Sequence, residues 1–235
     1  MMNSKVWIVL ALLCAVVLAF AINPFGGRGG AQSEQRPKEE TALHSLPEGM
    51  KDVVVAGGCF WCLDSLFQNV KGVHDVEASY VGGSRTGVSY EEVSSGETGD
   101  AESVRIIYDP KVISEDDLLR LFFVSHNPTT LNYQGPDHGT QYRSVIFYRS
   151  PEEKALAVKI RDEIAKAKVW DDPIVTSIEP FKNYTRAEEY HQHYYQKYLD
   201  ATPAQRATMN GGYCSAIIQP HVLEFKKRFA KYLKS

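Results

Sequence analysis

The chain has 235 residues, ordinary aromatic and aliphatic content, and a formal net charge of −3. That is enough for one well-packed domain plus an appendage. So small a charge imbalance gives no case for nucleic acid as a partner, and no internal repeat points to a solenoid or propeller.

Lys5 is followed by the uncharged run VWIVLALLCAVVLAFAI, residues 6–22, which ends in Ala19-Phe20-Ala21. A basic start, an apolar run and a small-x-small site predict a signal peptide over residues 1–21. The alternative is an N-terminal membrane anchor formed by residues 6–22, at the lower edge of the roughly 17–25 residues that span a bilayer. The protein is therefore expected to be exported, to the periplasm, and to engage a membrane only if this segment stays uncleaved. Cys14 lies inside the run without a lipoprotein-type cleavage box before it. Residues 22–50, including NPFGGRGGAQSEQRPKEE, are too polar to bury a core and predict a flexible linker. A single domain is expected over residues 51–235.

Residues 53–56 form a short apolar run closed by Gly57-Gly58, the pattern of a buried strand. From Cys59 to Val70 the apolar residues recur at helical spacing, and Gly72 ends the helix. Strands are predicted over residues 73–81 and 102–108. Ser114, with Asp117 three residues on, caps a helix that runs to His126. Another strand covers residues 143–148, and Ser150-Pro151 opens a helix to about Lys168. This β-α-β-β-α-β order is the split βαβ pattern of a ferredoxin-like α+β sandwich. Residues 175–179 suggest one more strand, and residues 186–199 and 221–233 suggest extra C-terminal helices, joined by a long C-terminal coil.

The chemistry concentrates at VVVAGGCFWCLDSLF, residues 53–67. On this layout Cys59 sits at the first turn of a helix, where unpaired N–H groups and the dipole favour a thiolate. Gly57 and Gly58 leave room for an approaching substrate. Phe60 and Trp61 offer an apolar wall, and Cys62 lies one turn on. With Cys14 set aside, three thiols remain: Cys59, Cys62 and Cys214. An odd number suits working thiols better than structural staples. A C-x-x-C pair after a strand also fits a general dithiol-disulfide oxidoreductase of thioredoxin-like type, although Phe-Trp is bulky between its cysteines. A zinc site lacks a second pair of ligands. His191 and His193, two apart in YHQHYY, read as surface or core histidines.

GGCFWC, YEEVSSGETGDAE, HNPTTLNYQGPDHGTQYRS, AEEYHQHYY and GGYCS, occurring in that order, together resemble the A-class peptide methionine sulfoxide reductases. The resemblance spans about residues 52–229, so the domain over residues 51–235 is expected to reduce the S epimer of methionine sulfoxide, free or in proteins. By the resemblance, Cys59 is the nucleophile and Glu102 the acid that protonates the departing oxygen. Phe60 and Trp61 hold the methyl group; Tyr90, Asp137 and Tyr142 bind the oxygen or an ordered water. Cys214 resolves the sulfenic acid on Cys59, with Cys62 as relay or direct resolver. No cofactor is implied; a thioredoxin-like dithiol reductant supplies electrons, and the partners are oxidised proteins or peptides. The protein is expected to act as a monomer, with no metal. Asp100 stands where the family usually has histidine, and a second carboxylate so placed is expected to raise the pKa of Glu102.

Overall fold

The computed structural model describes residues 42–234. The expected signal peptide or anchor over residues 1–21, and the linker up to residue 41, lie outside the described residues. Among the described residues no helix is long and apolar enough to cross a membrane.

The elements follow the predicted order. Strand β1 (Lys51–Ala56) leads into α1 (Phe60–Phe67), then β2 (Val73–Val81), α2 (Tyr90–Ser94) and β3 (Ala101–Tyr108). Helix α3 (Glu115–Ser125) is followed by a small hairpin, β4 (Tyr133–Gln134) and β5 (Asp137–His138), and by a 3-10 turn over Thr140–Tyr142. Strand β6 (Val145–Tyr148), α4 (Pro151–Lys166), β7 (Ser177–Pro180) and β8 (Thr185–Arg186) come next. The capping signals are used as the sequence implies. Ser114 Oγ accepts the Asp117 N–H, and Ser150 Oγ accepts the Glu153 N–H ahead of Pro151-started α4.

The sheet runs β7-β6-β1-β3-β2-β8. Strand β1 is antiparallel to both β3 and β6, and β2 is antiparallel to β3. The four inner strands thus form two interleaved βαβ units, the ferredoxin-like α+β sandwich expected. Strand β7 joins parallel to β6, two residues later than predicted, and β8 closes the far edge. Alternation along the strands makes two apolar faces. Val53 and Val55 of β1 pack with α1, α3 and α4 around Leu63, Phe67, Leu118, Phe122 and Ile160. Val54 and Ala56 face the other way, against Phe147, Tyr184 and Phe181.

That second face also carries a buried ion network. Arg105, 2% exposed, donates to Asp52 (2.6 Å) and Glu77 (2.9 Å). Asp52 also receives Arg149 at 3.0 Å, and Tyr184 Oη donates to Glu77 at 3.2 Å. Every charge there has a partner, as burial demands. The end of the expected linker reaches the same network: His44 Nδ1 lies 3.2 Å from Glu77 Oε1.

The C-terminal third departs from expectation. In place of a helix over residues 186–199 there is β8, a series of turns, and α5 (Tyr194–Asp200). Gln192 is the reason. Its buried side chain accepts the Ala78 N–H at 2.8 Å and donates to the Ala78 and Ala187 carbonyls, so it bonds like an added strand residue along β2. His193 then takes φ 51° to enter α5. The stretch expected as coil consists of short helical turns: α6 (Pro203–Arg206), α7 (Gly211–Tyr213) and a π-helical segment over Cys214–Ile218. It continues into α8 (Gln219–Arg228), which ends five residues before the predicted terminus of that helix. Pro220, with no N–H to give the preceding turn, sits just after the wide segment.

Candidate active site

Cys59 is the N-cap of α1, with φ −62° and ψ 127°, so its backbone is extended, and its side chain makes no capping bond to the first turn. It is 8% exposed. The Phe60 N–H, the first free amide of the helix, donates to Glu102 Oε2 at 3.1 Å. Glu102 is the second residue of β3, opposite Tyr80, and only 2% exposed. The solvated strand-start position that a glutamate there could take is thereby ruled out. The Cys59 sulfur is among the groups that bear on the ionisation of Glu102.

Burial raises the pKa of Glu102 well above the carboxylate range, and the nearby Cys59 and Asp137 push it the same way. Asp100, the expected cause, plays no visible part: its Oδ1 accepts the Gly83 N–H at 3.0 Å. The thiol also departs from expectation. Burial first, then Cys62, push the Cys59 pKa well up, with the Tyr213 hydroxyl acting the other way. The helix terminus does not win because its first amide is given to Glu102 and the sulfur is desolvated.

The remaining predicted residues converge here. Tyr90 opens α2 and Tyr142 ends the 3-10 turn; burial and then the Glu102 charge raise both phenols. Asp137, on β5, is raised by burial and holds the Tyr213 hydroxyl at 2.6 Å. Cys62 lies one turn along α1, its Sγ 3.7 Å from Tyr213 Oη, and it helps to raise the Cys59 pKa. Cys214 does not sit in an open loop. It is fully buried at the start of the π-helical segment, and its pKa is pushed up to about 11 by burial and then the Cys59 charge.

Four further residues complete the site. Trp61 stacks on Tyr194 (centroids 3.8 Å apart, planes at 7°) and meets Tyr213 edge-on at 6.0 Å. Its Nε1 donates to His191 Nδ1 at 3.1 Å. Glu188 Oε1 accepts the Tyr90 N–H at 3.0 Å and Oε2 the Tyr80 hydroxyl at 2.8 Å. The run AEEYHQHYY contains three of them but shows no periodicity, so nothing marked their direction. GGYCS drew attention to Cys214 rather than to the tyrosine before it.

Two cavities flank this wall. One of about 310 Å³ is lined by Cys59, Cys62, Gln134, Asp137 and Tyr213. The other, of about 670 Å³, touches Trp61, Tyr90 and Tyr194 but no thiol. The chemistry belongs to the smaller one, which holds the sulfurs and Asp137; Phe60, Glu102 and Tyr142 line neither cavity, and Trp61 and Tyr90 line only the larger. Among the described residues no group of three or more His, Cys, Asp or Glu is placed to hold a metal ion. The two glycines serve packing rather than access. A Cβ on Gly57 would lie 2.9 Å from the His126 ring, and one on Gly58, at φ +88°, 2.6 Å from Gln134 Cγ.

A cysteine at a helix N-cap, a buried acid bonded to the first amide of that helix and a second thiol one turn on fit a thiol-dependent oxidoreductase on a ferredoxin-like sandwich. The profile of the family described as peptide methionine sulfoxide reductase matches residues 51–231, and the chain belongs to that family. It is 47% identical over 180 residues to the peptide methionine sulfoxide reductase of Polynucleobacter asymbioticus, covering 77% of this chain and 90% of that one. The enzyme of Deinococcus radiodurans is 38% identical over 213 residues, covering 90% and 98%. Among solved structures, the reduced form of Mxr1 from Saccharomyces cerevisiae superposes with TM-score 0.60 at 38% identity, covering 66% of this chain and 90% of that one. The protein is thus an oxidoreductase that reduces methionine sulfoxide with thiols; a general thioredoxin-like oxidoreductase is not favoured.

Proposed function

We propose that residues 51–235 reduce the S epimer of methionine sulfoxide, free or in proteins, with Cys59 as nucleophile and Glu102 as acid. The observation that carries this is a buried carboxyl bonded to the first amide of the helix that Cys59 caps, so that acid and buried thiol stand at one helix end. The Phe60 N–H occupies one carboxyl oxygen, which leaves the other to carry the proton. Phe60 and Trp61 hold the methyl group, and Tyr90, Tyr142 and Asp137 bind the oxygen. As Cys59 attacks the sulfoxide sulfur, Glu102 protonates the oxygen. Net, the oxygen passes to Cys59 as a sulfenic acid and the thioether leaves. A second thiol displaces water from the sulfenic acid to give a disulfide. A thioredoxin-like dithiol then reopens it by exchange. The enzyme acts as a monomer and needs no cofactor.

The order of the two remaining thiols follows from position. Cys59 is outside the helix proper and Cys62 is at its third residue, so a bond between them does not require α1 to unwind. Cys214 is buried and must leave a helical segment to reach Cys59. We infer that Cys62 resolves first and Cys214 receives the bond by exchange, whereas the family resemblance favours Cys214 as the resolver. Mass spectrometry after one turnover is expected to show mainly a Cys59–Cys62 bridge, with Cys214→Ser leaving that step intact. A dominant Cys59–Cys214 bridge at the earliest times would reverse the order.

The uncharged run at residues 6–22 supports export to the periplasm, with membrane attachment if it is retained. Cell fractionation with sequencing of the mature N-terminus is expected to find the chain outside the cytoplasm. An intact N-terminus in the soluble cytoplasmic fraction would refute this.

A further inference from the structure

The turns over residues 188–192 are bonded at both ends to parts of the site. Gln192 fixes one end to the backbone of β2. Glu188 ties the other end to Tyr80 and to the start of α2. Between them His191, 1% exposed, is enclosed by rings. Its centroid lies 4.9 Å from Phe60, 4.7 Å from Tyr90 and 5.6 Å from Trp61. Trp61 Nε1 is a donor only, so His191 Nδ1 must be an unprotonated acceptor. The proton of the neutral ring is then on Nε2, the side of Glu188, whose Oε2 is 3.8 Å away.

This arrangement does something that packing alone does not. Stacking on Tyr194 sets the plane of the Trp61 indole but leaves it free to slide within that plane. The bond from Nε1 to His191 removes that freedom. We propose that His191 is a positioning residue: by accepting the Trp61 indole N–H it fixes the wall against which the sulfoxide methyl is held. This rests on Phe60 and Trp61 forming that wall. A wall that must exclude one epimer has to be fixed to a fraction of an ångström, and a fixed tautomer is a cheap way to do it.

The test is a double-mutant cycle of His191→Leu and Trp61→Phe, with His191→Gln as the conservative control, read as kcat and KM on a methionine-S-sulfoxide peptide. His191→Leu is expected to raise KM on the order of tenfold, the effect of losing one hydrogen bond of about 1.4 kcal/mol. Gln, which keeps an acceptor, is expected to recover most of it. In the Trp61→Phe background, where no donor remains, His191→Leu should add nothing. An unchanged KM in His191→Leu, or penalties that multiply in the double variant, would overturn the proposal. If His191→Leu does not fold, the wild type decides. The Trp61 indole N–H resonance, assigned by its loss in Trp61→Phe, should exchange slowly with solvent, and fast exchange would overturn it. Trp61→Ala tests the underlying wall separately: wild-type KM and kcat there would remove the wall itself, whatever His191 does.

Discussion

Replacing Cys59 by serine is expected to abolish thioether formation in a single turnover of the reduced protein with a methionine sulfoxide peptide. The sulfoxide sulfur is a soft centre, and a hydroxyl is a far weaker nucleophile toward it than a thiolate. The site offers serine no rescue. The first amide of α1 is bonded to Glu102 rather than aimed at residue 59. The surroundings are desolvated, which already raises the thiol and would raise a hydroxyl further. The aromatic wall and Glu102 are untouched, so peptide binding should persist while chemistry stops. Chromatography of the quenched peptide against a thiol count measures both. Thioether at wild-type rate would show that Cys62 or Cys214 is the nucleophile.

Glu102→Gln is expected to lower kcat by about 10²–10⁴-fold with KM little changed, the range for loss of a general acid. The amide keeps the shape and can still accept the Phe60 N–H, so what is removed is the proton. The pH profile gives the sign. Burial holds the Glu102 pKa up, so the acid form persists above the usual carboxylate range. Wild-type kcat/KM should fall as pH rises through that raised value, and the glutamine variant should lack this limb. Stability follows the same linkage. A group whose folded pKa exceeds its unfolded one contributes stability below the unfolded pKa and loses it as pH rises through the folded pKa. Glu102→Gln should therefore unfold at a higher temperature than wild type on the alkaline side. A variant impaired only in KM, with the limb intact, would remove Glu102 from the role of acid.

The sandwich was legible because its strands and helices obey two clean periods and its caps carry their usual residues, as at Ser114 and Ser150. GGCFWC and Glu102 pointed to this end of the helix because residue type and position both constrain the chemistry. What was not legible depended on long-range bonds. Nothing local in AEEYHQHYY says that Gln192 will bond to Ala78, so a helix was expected where a turn forms. Nothing near Cys59 says that a glutamate 43 residues on takes the amide that would have lowered the thiol. GGYCS falls in what the sequence marks as coil, but contacts from Tyr213 to Asp137 and Trp61 hold that segment down.

Gly57 and Gly58 give the site an asymmetry that bears on redesign. On their side of the sulfur the space a side chain would need is already filled by His126, Phe122 and Gln134, which belong to the core and to the hairpin that carries Asp137. No widening is available there without moving the hairpin that carries Asp137. On the other side the boundary is made of aromatic side chains, Trp61, Tyr194 and Tyr213, with an open cavity of about 670 Å³ behind the first two. A library aimed at sulfoxides with groups larger than methyl has its freedom on that side, where trimming a ring joins two cavities instead of breaking a fold.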